Sequence, residues 1–203
     1  MMPFTICKGH AATLMRDNID TDQIIRIERI AQLKRGEFSR WLFETWRYLP
    51  DGTDDPRFVL NIEPYRAAQI LIGGDNFGCG SSREMAVWAI QEFGIRCVIA
   101  PGFGDIFFNN CLQNGLLPIR LGRAQVEQLA AVAQLGEVLT VDLQTCTVTT
   151  AATGKIPFSM LDTQRQSLLL GQDDVAQTLA ADAQIDAFQK QDSDRRPWVY
   201  MAV

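Results

Sequence analysis

Gly73-Gly74-Asp75-Asn76-Phe77-Gly78-Cys79-Gly80-Ser81-Ser82-Arg83-Glu84 stands between a short apolar run, Ala68 to Ile72, and a segment in which Ala86, Ala89, Ile90 and Phe93 recur near helical spacing. The apolar run bounded by Gly73-Gly74 predicts a buried strand whose C-terminal end opens into a loop, and the recurrence predicts a helix that Gly94 ends. Gly73, Gly74, Gly78 and Gly80 let backbone N–H groups turn inward, and a helix N-terminus adds roughly half a positive charge, so the loop suits an anion. Arg83 adds a bidentate donor for carboxylate or phosphate. Ser81 to Glu84 also satisfies the capping pattern S-x-x-E, a reading that needs no ligand.

Downstream the pattern repeats. Arg96 to Ala100 reads as a strand, Pro101 to Gly104 as a loop, Asp105 to Asn114 as a helix ended by Gly115, and Leu116 to Ile119 as a third strand. This alternation predicts an α/β fold with parallel strands and right-handed crossovers. Arg123 to Gln134 places Val126, Leu129, Ala130 and Ala133 on one helical face, and Val138 to Val141 with Cys146 to Thr149 reads as a hairpin. Asp174 to Lys190 predicts a closing helix, which makes 1–190 one domain and 191–203 a C-terminal tail. Upstream, Asp17 to Gln23 is a polar turn followed by a strand or short helix. Residues 33–58 are basic and aromatic, close with Pro50-Asp51-Gly52 and Asp54-Asp55-Pro56, and read as a long insertion lying across the domain.

The 203 residues are 47% apolar and 21% charged, an ordinary globular balance, and the net charge of −5 removes the attraction on which nucleic-acid and anionic-membrane binders rely. No stretch approaches the ~20 apolar residues of a membrane span, so a cytoplasmic location is expected. Cys7, Cys79, Cys97, Cys111 and Cys146 are widely spaced with no C-x-x-C pair, which encodes neither a disulfide framework nor a metal site. His10, the one histidine, reads as a surface or strand-edge residue, and acid–base chemistry falls to carboxylates or activated hydroxyls.

Named glycine motifs fail here. A dinucleotide fingerprint from Gly78 needs glycine or alanine where Arg83 stands, a P-loop from Gly73 needs lysine where Cys79 stands, and G-x-S-x-G does not fit residues 80–84. Asp17, Asp20 and Asp22 lack the glycine of a calcium loop and read as turn and cap formers. Trp41, Trp46 and Trp88 read as core or interface residues, and Cys79 as a small spacer.

Asn76-Phe77-Gly78-Cys79-Gly80-Ser81-Ser82-Arg83-Glu84 resembles the signature of the swivel domain of the aconitase superfamily. Asp20-Thr21-Asp22-Gln23-Ile24-Ile25 and Val98-Ile99-Ala100-Pro101 through Asp105-Ile106-Phe107 resemble, in the same order, the small subunits of its bacterial 2-alkylmalate hydro-lyases. Leu42-Phe43, Trp46-Arg47-Tyr48-Leu49 and Asn109-Asn110 through Leu116-Leu117-Pro118-Ile119 extend the similarity over roughly residues 5–190. The resemblance implies a swivelling three-layer β/β/α domain and a two-part enzyme. A large partner subunit would carry a 4Fe-4S cluster, and this chain, binding no cofactor itself, would cover the substrate. The expected reaction interconverts 2-isopropylmalate and 3-isopropylmalate by loss and re-addition of water, in leucine biosynthesis.

By the same resemblance Ser81 is the expected base that removes a proton next to a carboxylate, Ser82 and Arg83 hold substrate carboxylate, Asp22 orients a partner group, and Arg35 is a second carboxylate contact. The chain departs from the family pattern at Arg26, Met85, Val87, Gly102 and Gly104, where proline, histidine, proline, serine and alanine are usual. Those departures leave two alternatives, a related dehydratase acting on citramalate or dimethylmalate and a non-catalytic carboxylate-binding module.

Overall fold

A computed structural model describes residues 1–200. Four-residue strands β2 (Ile70–Gly73), β3 (Cys97–Ala100) and β4 (Leu117–Arg120) pair in parallel, and α4 (Glu84–Phe93) and α5 (Asp105–Asn114) form the crossovers between them. Gly94 and Gly115 end these helices at φ of 112° and 81°, the left-handed conformation that glycine adopts without a Cβ penalty. This half agrees with the sequence pattern to within about two residues at each boundary.

The sheet has seven strands, in the order β4-β3-β2-β1-β5-β6-β7. Strand β1 (Ile6–Leu14) lies at its centre, parallel to β2 and antiparallel to β5 (Val138–Asp142), with β6 (Thr147–Thr150) and β7 (Gly154–Pro157) completing the antiparallel half. The sequence pattern does not announce β1, because Lys8, Gly9 and His10 interrupt its alternation. Flanked on both sides, it is set by pairing rather than propensity. His10 therefore lies on a central strand opposite Val138, not at an edge, and its Nδ1 is sequestered without a hydrogen-bond partner.

Alternation along the parallel strands divides two cores. Leu71, Val98 and Ala100 face one layer with α4 and α5, while Ile70, Ile72, Cys97 and Ile99 face α6 (Arg123–Gln134) on the other. Leu139, Val141, Val148 and Ile156 of the antiparallel strands join the α6 core, and α7 (Asp162–Leu170) adds Leu168 to it. The result is the expected α/β class, with an antiparallel share larger than the strand pattern implies.

After the short helix α2 (Ile27–Ile30), residues 33–58 lie across the α4 layer with little regular structure beyond one turn, α3 (Glu44–Arg47). Phe38, Leu42 and Phe43 are fully buried, the Phe38 ring meets Trp88 at 5.8 Å, and the backbone N–H groups of Gly36 and Phe38 each donate to Glu92 at 2.6 Å. The chain ends in α8 (Asp174–Ala180) and α9 (Asp182–Arg195). Helix thus continues well into the segment 191–203 that composition reads as a tail. Arg196 pairs with Asp192 at 2.7 Å, which fastens the last turn. Residues 201–203 of that segment lie outside the described residues.

Candidate functional site

The loop from Gly74 to Arg83 is held on two sides by backbone hydrogen bonds. On one side Asn18 N–H donates to the Asp75 carbonyl at 2.8 Å, Gly78 N–H to Ile19 at 2.7 Å and Thr21 N–H to Cys79 at 3.0 Å. On the other, Phe77 N–H donates to Gly102 and Gly104 N–H to Phe77, both at 2.9 Å. These ladders explain two family departures. A Cβ on Gly104 would stand 2.6 Å from the Gly78 carbonyl oxygen, and one on Gly102 would collide with the Asp75 carboxylate. Gly104→Ala should push the two loops apart and lower stability by about 1–3 kcal/mol. A melting temperature lower by about 2–10 °C would show it, whereas an unchanged value would mean the loops separate freely.

Short helix α1 (Thr21–Ile24) is capped by Asp20, which accepts from Gln23 N–H at 2.7 Å while the Gln23 side chain accepts from Asp20 N–H at 3.1 Å. The capping box in this protein is therefore here and not at Ser81 to Glu84. The N-cap of α4 is Arg83, with no side-chain cap, and Glu84 instead accepts from Asn114 at 2.8 Å. Ser81 and Ser82 are left out of the helix and exposed ahead of its N-terminus.

Arg83 is nine-tenths buried, and its Nη1 forms an ion pair with Asp22, whose carboxylate is half exposed. The Arg83 guanidinium holds the Asp22 carboxyl below the usual carboxylate range, so it is ionised at neutral pH. Thr21 belongs to the same cluster, a placement that sequence reasoning missed. Its buried hydroxyl donates to the Ser81 carbonyl oxygen at 3.1 Å and fixes the backbone of that serine to α1. A threonine beside Asp22 in a polar turn carries no separate signal of such a role.

Ser81, Ser82, Arg83 and Asp22 are thus brought together, and Arg35 is not. The Arg35 guanidinium lies 4.8 Å from the Trp88 ring and donates to Asn114 at 3.5 Å, beside the middle of α4. Arg26 turns to Glu28 at 3.0 Å and Glu44 at 3.7 Å. Val87 is fully buried and Met85 packs against the same core, so both departures serve packing. Burial, then the Asp20 carboxylate, raise the Cys79 thiol above its ordinary pKa, which keeps it protonated and consistent with a spacer.

A 4Fe-4S cluster takes several thiolates converging on one point. Among the described residues no group of three or more His, Cys, Asp or Glu is placed to hold a metal ion, and Cys97 and Cys111 are fully buried with their thiols raised well above the ordinary value by burial. The residues present do not fit a cluster on this chain. Among the same residues, no helix is long and apolar enough to cross a membrane.

The Aconitase C-terminal domain family matches residues 1–124. The chain is 50% identical over 206 residues to a 3-isopropylmalate dehydratase small subunit of Cupriavidus necator, covering 98% of this chain and 99% of that one. It is 47% identical to the protein of the same name in Roseobacter denitrificans, covering 98% and 100%. A crystal structure of 3-isopropylmalate dehydratase from Methanocaldococcus jannaschii superposes with a TM-score of 0.66 at 26% identity, over 91% of this chain and 99% of that one. With the family matched over more than half of the chain and relatives of one name matched over nearly its whole length, the chain belongs to the aconitase C-terminal domain family and, within it, to the small subunits of 3-isopropylmalate dehydratase.

Proposed function

We infer that this chain is the small subunit of a hydro-lyase that interconverts 2-isopropylmalate and 3-isopropylmalate, working with a large subunit that carries the 4Fe-4S cluster. The observation that carries the reading is one juxtaposition: two exposed serines next to a nine-tenths buried arginine that pairs with Asp22. A dicarboxylate needs a fixed cation, and the elimination needs a base within reach of the C–H on the carbon next to a carboxylate.

In this reading Arg83 and Ser82 hold a substrate carboxylate at the N-terminus of α4, where the helix dipole favours negative charge. Ser81 Oγ takes the proton from the adjacent carbon. The hydroxyl on the neighbouring carbon leaves with one further proton, taken from the large-subunit side of the site, as water; addition of water with the opposite orientation gives that proton back, and Ser81 returns its own to carbon. Such a serine needs a lowered pKa, which Arg83 and the helix terminus favour and a water-free site strengthens. The exposure of Ser81 and Ser82 on the isolated chain means the large subunit supplies that closure.

Substrate choice follows from placement. Of the five departures that raised citramalate, dimethylmalate or a non-catalytic module, Met85 and Val87 pack in the core, Arg26 pairs with Glu28 and Glu44, and Gly102 and Gly104 allow close loop packing. The relatives are named for isopropylmalate. Anaerobic reconstitution with the large subunit should give hydration of isopropylmaleate and little of methylmaleate. Preference for methylmaleate would shift the assignment, and a complex that hydrates neither would leave a binding module.

A further inference from the structure

Five arginines, Arg16, Arg26, Arg29, Arg40 and Arg57, line an open cavity of about 1100 Å³ that holds only two carboxylates, Glu44 and Asp55. Both carboxylates are already engaged. Glu44, with its side chain 9% exposed, is 2.9 Å from Arg29 and 3.7 Å from Arg26, and Asp55 closes on Arg57 at 2.9 Å within its own turn. Arg16 and Arg40 form no ion pair among the described residues. Each lies over an indole instead, Arg16 at 4.7 Å from Trp46 and Arg40 at 5.4 Å from Trp41, which also carries Arg29 at 3.4 Å.

This concentration of cation runs against a chain whose net charge is −5. Arginines stacked on aromatic rings are held extended with little side-chain entropy left to lose, and Arg and Trp are the residue types that dominate the energetics of protein interfaces. The two unmatched guanidinium groups belong to exposed residues, so they meet an approaching surface rather than a ligand enclosed in the interior. The cavity also neighbours the candidate site. Arg26 on its wall is close enough to Asp22 for the two charges to act on one another, and Asp22 holds Arg83.

We propose that the arginine-lined cavity docks an acidic segment of the large subunit, with Arg16 and Arg40 as its unpaired contacts. The inference rests on the reading of the chain as one half of a two-subunit dehydratase, and its test separates the two. The cluster-loaded large subunit is titrated anaerobically with wild-type chain, Arg16→Glu, Arg40→Glu, the double variant and the neutral pair Arg16→Gln and Arg40→Gln. The dissociation constant is read at low and physiological salt, and kcat and KM at saturating small subunit. Each reversal should weaken assembly about 10-fold or more, the double variant further, and the neutral variants less, with a shallower salt dependence and an unchanged kcat in the saturated complex. Wild-type affinity in the double variant at both salts overturns the docking role. Unchanged assembly with a raised KM overturns it in favour of substrate anion in the cavity. Wild-type chain that neither assembles nor turns over refutes the functional reading itself, and with it the docking role. Circular dichroism and melting of each free variant identify any loss of affinity that comes from unfolding.

Discussion

Ser81→Ala is expected to reduce turnover by about 10²–10⁴-fold, at the upper end if no water can substitute, while the complex with the large subunit still forms. That range corresponds to about 3–5 kcal/mol of transition-state stabilisation. The serine is exposed ahead of α4, and its backbone is fixed by the Thr21 hydroxyl through the carbonyl, not through the side chain. Removing Oγ therefore takes away the proposed base and little of the fold. The distinguishing measurement is kcat beside the subunit affinity. Wild-type kcat in a fully assembled complex would refute the assignment of Ser81, and a lost complex would point to a structural role instead.

Arg83→Lys should cost about 10²-fold in kcat/KM, equivalent to about 2.7 kcal/mol, with assembly intact. Lysine keeps the charge but not the planar fork that can face Asp22 and a carboxylate together. Because the Arg83 side chain is nine-tenths buried, the shorter-reaching ammonium cannot recover by moving into solvent. Near-normal kcat/KM in the lysine variant would mean that only charge is needed. The pair also fixes an expectation for pH. Asp22 is held below its ordinary range by Arg83, so whatever its ionised form contributes is present at neutral pH and is lost only as pH falls through that lowered value. An activity loss centred nearer pH 6 would belong to another group.

Much of the parallel half was legible because its signals are local. The helix over 105–114 and its Gly115 stop follow from spacing and from a residue that tolerates φ of 81°. Helix α6 is likewise given by its apolar face. By contrast, β1, β7 and α7 carry no such pattern, and β1 becomes central only because β2 and β5 claim its two edges. The capping box was misplaced for the same reason: S-x-x-E at Ser81 is a valid local pattern, but Asn114 takes the Glu84 side chain, and Asp20 with Gln23 forms the box instead.

By itself the sequence determined the α/β class, the glycine loop with Ser81, Ser82 and Arg83, and the family, since each lies within a contiguous run whose chemistry is readable in place. Only the tertiary structure decided that Asp22 meets Arg83, that Thr21 reaches Ser81, that Arg35 lies instead against Trp88 and Asn114, and that Arg16 and Arg40 share one cavity. These are contacts between segments far apart in the chain, and they depend on strand register and helix packing, which no single run of residues encodes.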